Sequence, residues 1–180
     1  MDAEYKCSKN FRFTPKNKSK YKSLCFAITN NKIENVRLLL KEKIEIEKVN
    51  RYGYTPLHLS CIHGRNEVTF LLLELKANTE IVDIYGNTAL HLASMNGNHE
   101  IIDLLLKKGA NIESTDLDGN TSLHLASREG HDEVICLLLE NGINHEVTNH
   151  DGNTFMDFYT GNDKERIYYI LNSAYIKGSD

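Results

Sequence analysis

Residues 83–115 read DIYGNTALHLASMNGNHEIIDLLLKKGANIEST. Thr88 stands just before Leu90, Leu92 and Ala93. A hydroxyl there accepts from an exposed amide in the first turn of a helix. Gly97 closes the segment, as glycine commonly does. Ile101, Ile102, Leu104, Leu105 and Leu106 then form the apolar stripe of a second helix, which Gly109 ends. Two short helices and their turns cannot bury both apolar faces alone, so such a unit needs neighbours on each side.

The neighbours are written in the same register. Gly53, Gly86, Gly119 and Gly152 are evenly spaced, with a period of 33. Gly64, Gly97 and Gly130 keep that period, as do Gly109 and Gly142. Nine of the eleven glycines thus occupy three positions of one unit, which chance does not arrange. The box Thr55-Pro56-Leu57-His58 returns as Thr88-Ala89-Leu90-His91 and Thr121-Ser122-Leu123-His124. Leucine triplets follow at 71–73, 104–106 and 137–139. Stepping backward, Leu24 takes the place of Leu57, and Leu38-Leu39-Leu40 the triplet place. Stepping forward gives Thr154-Phe155-Met156-Asp157 and then Ile170-Leu171.

This period and the Thr-Pro-Leu-His box resemble the ankyrin repeat family over about residues 17–172. The resemblance implies an all-α solenoid of stacked helix-turn-helix units, connected by β-turns or hairpins. The expected organisation is a basic arm at 1–16 and a repeat domain at 17–180. Its units would be 17–49, 50–82, 83–115, 116–148 and 149–180. The end units depart from the pattern, as capping units should. Lys20, Asn31 and Lys43 stand at glycine positions of the first unit. In the last, Asp157 replaces the box histidine and Asp163 a helix-ending glycine. A second helix near Lys164 to Asn172 and a mobile end from Lys177 to Asp180 are expected there.

Composition sets the outer limits. With 41% hydrophobic and 26% charged residues, the chain can bury a core. Its net charge is −4. Residues 1–22 carry seven basic groups against Asp2 and Glu4, a net of +5, leaving −9 on the remainder. No apolar run approaches the roughly 18 residues of a membrane span, and Met1 to Lys9 lacks a signal-peptide core. Membrane insertion is not expected. Cys7, Cys25, Cys61 and Cys136 are far apart, which points to a reducing compartment rather than a disulfide framework or zinc site. A cytoplasmic location is expected, with the nucleus, or delivery into a host cell, left open.

Neither catalytic nor cofactor-binding nor metal-binding residues emerge. His58, His91 and His124 recur once per unit, yet stacked helices lie about 8–10 Å apart and zinc needs ligand atoms at about 2 Å. Each is expected to hydrogen-bond a turn and link units. His63, His99, His131, His145 and His150 read as surface or turn residues. Cys61 and Cys136 fall among apolar helix residues as small core groups. Cys25 takes a box-histidine place and is expected to be partly buried, whereas Cys7 is expected to be exposed. Glu47, Glu80, Glu113 and Glu146 share one place in four units. They either accept backbone hydrogen bonds from the next turn or form an acidic stripe for a basic partner.

A binding module is therefore the leading function: a small adaptor, inhibitor or effector, monomeric, with a protein partner. A small-molecule substrate is not expected, and nucleic acid is not expected on the acidic repeat body. One alternative is nucleic-acid or acidic-partner binding through the arm, where Tyr5, Phe11 and Phe13 interleave with the basic residues. Another is a regulatory subunit of an enzyme. The resemblance implies binding on the concave face, formed by turn tips and first helices. By register that face includes Arg51, Tyr52, Tyr54, Ile62 and His63 of the second unit. The third contributes Ile84, Tyr85, Met95 and Asn96, and the fourth Leu117, Arg128 and Glu129. Apolar anchors with a polar rim suit a protein interface.

Overall fold

Each Thr-x-x-His box starts a helix by reciprocal capping. The Thr55, Thr88 and Thr121 amides donate to Nδ1 of His58, His91 and His124 at 3.0, 3.1 and 3.2 Å. The threonine hydroxyls face the histidine amides in return, closing the box at the first turn. The structure, a computed structural model, describes residues 20–42 and 44–177, with side chains through 172. The basic arm with Cys7, together with Lys43 and the chain end after Lys177, lies outside the described residues.

Helices come in pairs: α1 Lys20–Thr29 with α2 Ile33–Lys41, and α3 Pro56–Ile62 with α4 Asn66–Glu74. Next come α5 Ala89–Met95 with α6 His99–Lys107, and α7 Ser122–Glu129 with α8 Asp132–Glu140. A 3-10 turn at Phe155–Phe158 then pairs with α9 Lys164–Lys177. First helices pack on first helices, and second helices on second helices, in two parallel rows. Finger-like loops join one pair to the next. The described residues contain no strand, only an isolated bridge between Thr115 and Thr121.

Burial follows the repeat. Leu57, Leu90 and Leu123, one per box, are almost fully buried, as are Val68, Ile101 and Val134 in the second helices. Each large aliphatic side chain buried in this way stabilises by about 1.5–3 kcal/mol. These residues form one continuous core from Leu24 to Ile167, rather than a separate one in each unit.

The end units depart from the repeat as expected, and Lys76 of the second unit departs as well. Lys20, at the position of a turn glycine, is instead the first residue of α1. Asn31 takes a positive φ of 54°, as a glycine substitute should. Lys76 also has a positive φ, 60°, where later units have Gly109 and Gly142. In the last unit the first helix shrinks to a 3-10 turn. Asp157 still completes the box, accepting from the Thr154 amide at 2.7 Å. Tyr159 fastens this unit to the previous one by donating to Asp132 Oδ1 at 2.6 Å. The second helix begins at Lys164 as expected and extends to Lys177.

Candidate interaction face

The fingers are rigid for a reason written in their first residues. Asn50, Asp83, Asp116 and Asn149 each use one side-chain oxygen to accept from the amides two and four residues later, at 2.8–3.1 Å. Such Asx turns fold each loop back on itself. Neighbouring tips then join through the backbone. Ile84 N–H donates to Tyr52 O at 3.2 Å, Leu117 N–H to Tyr85 O at 3.0 Å, and His150 N–H to Asp118 O at 2.9 Å. Four fingers form one row with fixed spacing.

The row exposes apolar side chains. Tyr52 is 41% exposed, Ile84 51%, Tyr85 55% and Leu117 67%. Val49 and Val82, which share a register position at the finger base, are exposed as well. Arg51 lies over the Tyr52 ring at 4.6 Å, a cation–π contact that orients its charge at one end of the row. Arg128 and Glu129 are exposed at the end of α7, 3.6 Å apart. Asn96 is exposed at the end of α5, and its amide donates to Leu92 O.

The other residues expected on this face are only partly accessible. Tyr54, Ile62, His63 and Met95 are half-buried. Tyr54 and Ile62 pack against the core. The Tyr54 ring lies 5.9 Å from that of Tyr52 and 6.2 Å from His58, and its carbonyl accepts from the Tyr21 hydroxyl at 2.9 Å. Tyr54 is therefore a packing residue as much as a surface one. Burial, and secondarily the positive charge of Arg65, hold the His63 pKa below its ordinary value.

The box histidines are cross-links. Because Nδ1 accepts from the threonine amide, the ring proton sits on Nε2. That proton is donated to Asn120 O by His91 at 3.2 Å, and to Asn153 O by His124 at 3.1 Å. His58 Nε2 lies near the equivalent carbonyls without a closed hydrogen bond. Both nitrogens of His91 and His124 are thus committed to the backbone. Burial, outweighing the nearby aspartates and carbonyls, pushes all three pKa values below the ordinary histidine range.

The glutamate ladder is also structural, at three of its four places among the described residues; Glu146 accepts no such bond. Glu47, Glu80 and Glu113 accept from the amides of Asn78, Asn111 and Asn144 in the next unit, at 2.9, 3.1 and 2.8 Å. A third ladder keeps the period of 33 but repeats no residue type. Arg65, Asn98 and His131 occupy one register position and each reaches a carbonyl at the end of the preceding unit's first helix. Arg65 donates to Ile28 O and Thr29 O, Asn98 to Cys61 O at 2.7 Å, and His131 Nε2 to Met95 O at 3.1 Å. His131 is accordingly half-buried and a bridge between units. Three different residue types perform one task there, so identity gave no signal; a side-chain donor at that place was the only clue.

Other candidates do not converge. Cys61 and Cys136 are buried free thiols, and Cys25 is half-buried. Burial raises the pKa of Cys25 to about 11 and that of Cys61 to about 12, the reverse of an activated nucleophile. Among the described residues no three His, Cys, Asp or Glu side chains gather as metal ligands. None of their helices is long and apolar enough to cross a membrane. An open groove of about 440 Å³ at the ends of α4 and α6 is lined by Leu73, Lys76, Asn78 and Lys108.

The sequence model described as "Ankyrin repeats (3 copies)" matches residues 7–83 and 71–149. The chain belongs to the ankyrin repeat family. Members are in general protein–protein interaction modules and typically non-enzymatic. Among curated proteins the sequence finds no match.

Proposed function

We propose that this chain is a non-catalytic binding module, an adaptor or inhibitor in role, that grips a partner protein along its finger tips and first-helix ends. The observation that carries this reading is the exposed apolar row of Tyr52, Ile84, Tyr85 and Leu117 on a backbone-locked frame. The core does not use these side chains. A patch that folding does not require, held in one geometry, binds without a large ordering cost. The chain acts as a monomer in a reducing compartment, cytoplasmic or nuclear. The free thiols of Cys25, Cys61 and Cys136 support that setting.

The test compares affinity capture from cell lysate by the native chain and by an Ile84→Ser/Tyr85→Ala/Leu117→Ser variant. Circular dichroism and melting should show the variant folded. A protein held by the native chain and released by the variant is the expected result. Equal capture by both would place the interface elsewhere.

A further inference from the structure

Three of the four fingers carry an unbalanced negative charge. Residues 78–87 hold Glu80 and Asp83, residues 111–120 hold Glu113, Asp116 and Asp118, and residues 144–153 hold Glu146 and Asp151. These three fingers contain seven carboxylates and no lysine or arginine. The preceding finger, 45–54, balances Glu45 and Glu47 with Lys48 and Arg51. Because the tips are tied by backbone hydrogen bonds, the negative fields of the last three add along one row.

Most of these carboxylates have internal tasks. Asp83 and Asp116 fold their own fingers, while Glu80 and Glu113 hold the next unit. Glu146, Asp118 and Asp151 have no such task among the described residues, and the last two stand beside the finger-tip glycines Gly119 and Gly152. Both are exposed at the tips, and among the described residues neither carboxylate takes a hydrogen bond or an ion pair. Asp118 follows Leu117, the most exposed apolar residue of the row, and Tyr85 stands one finger earlier. The row therefore runs from Arg51 and Tyr52, through Ile84, Tyr85 and Leu117, to Asp118 and Asp151.

We infer that the partner is engaged through a basic segment carrying large apolar side chains. Its apolar anchors sit on Ile84, Tyr85 and Leu117, and its lysines or arginines face Asp118 and Asp151. Arg51 repels positive charge at the opposite end, so the segment lies in one direction along the fingers. The inference rests on the finger-tip reading above and adds the partner's chemistry to it. Asp118 and Asp151 set the charge of what binds; the apolar tips anchor it.

The experiment pans a display library of random short peptides on the full chain. Recovered peptides should pair Lys or Arg with aromatic or aliphatic residues. A selected peptide should bind Asp118→Asn/Asp151→Asn about three- to tenfold more weakly, as expected for exposed ion pairs, and should weaken as salt rises. Panning on Asp118→Lys/Asp151→Lys should reverse the preference to acidic peptides. Neither substitution removes a side-chain contact of the fold. Recovered peptides without basic enrichment overturn the inference. If those same peptides are still lost on Ile84→Ser/Leu117→Ser, the finger-tip interface itself stands. Peptides indifferent to every tip substitution overturn both.

Discussion

Gly86 and Gly152 occupy the same finger position with nearly the same backbone, φ 83° and 79°, but only Gly86 has a further finger stacked against it. Alanine at either site must adopt a left-handed conformation, at a cost of roughly 1–2 kcal/mol. At Gly152 nothing lies within 4 Å of an added Cβ, so that conformational term is the whole cost. At Gly86 the Cβ would stand 2.7 Å from Leu117 N, 3.1 Å from Leu117 Cγ and 3.2 Å from the Asp116 carbonyl carbon. Two of those atoms are backbone, and Leu117 N–H is the donor that ties this tip to Tyr85 O. Moving it away forfeits a hydrogen bond of about 1 kcal/mol and adds overpacking of about 1–3 kcal/mol. Gly86→Ala should therefore lose about 2 kcal/mol or more beyond Gly152→Ala. Urea unfolding of both variants under one set of conditions measures this difference. Equal losses would mean that the fingers do not stack on one another as described, and the fixed row on which the interaction face depends would fall with them.

Lys76→Gly should raise stability by roughly 0.5–1 kcal/mol, read as a higher melting temperature. Lysine is held there at positive φ, a conformation that later units assign to glycine. An unchanged or lower melting temperature would mean that Lys76 is not strained. The buried His58, His91 and His124 have pKa values lowered by burial, so the folded chain binds fewer protons than the unfolded one. Their contribution to stability is full above the unfolded value of about 6.5 and is lost as pH falls below it toward the depressed folded values. Denaturation at pH values of about 7.5, 6.5 and 5.5 should show that decline, and a flat profile would contradict the neutral cross-link. Glu113→Ala should cost about 1 kcal/mol, since Glu113 holds the Asn144 amide. Glu146→Ala should cost less, because no later finger follows it among the described residues; parallel melts of the two variants compare them.

The sequence by itself determined the unit, its period and its capping. An evenly spaced glycine, a threonine three before a histidine and an apolar stripe per second helix are local requirements. Local requirements are written in residue type at fixed spacing. The threonine caps, the histidine links between units and the buried Cys61 and Cys136 were legible for that reason, with the glutamate ladder as one of two readings; the histidine Nδ1 half of each cap came only from the structure. Tertiary structure decided which equivalent positions face solvent. Tyr54 shares its register with Asn87 and Asn120, yet its ring turns back against Tyr52 and His58. Exposure depends on what the neighbouring unit supplies, and that differs from one repeat to the next. The same holds for the bridges made by Arg65, Asn98 and His131, and for the 3-10 turn that replaces a helix at Phe155–Phe158. Periodicity identifies equivalent places along the chain. Only packing shows that finger tips a full repeat apart join through backbone atoms, gathering Tyr85, Leu117 and Asp118 onto one surface.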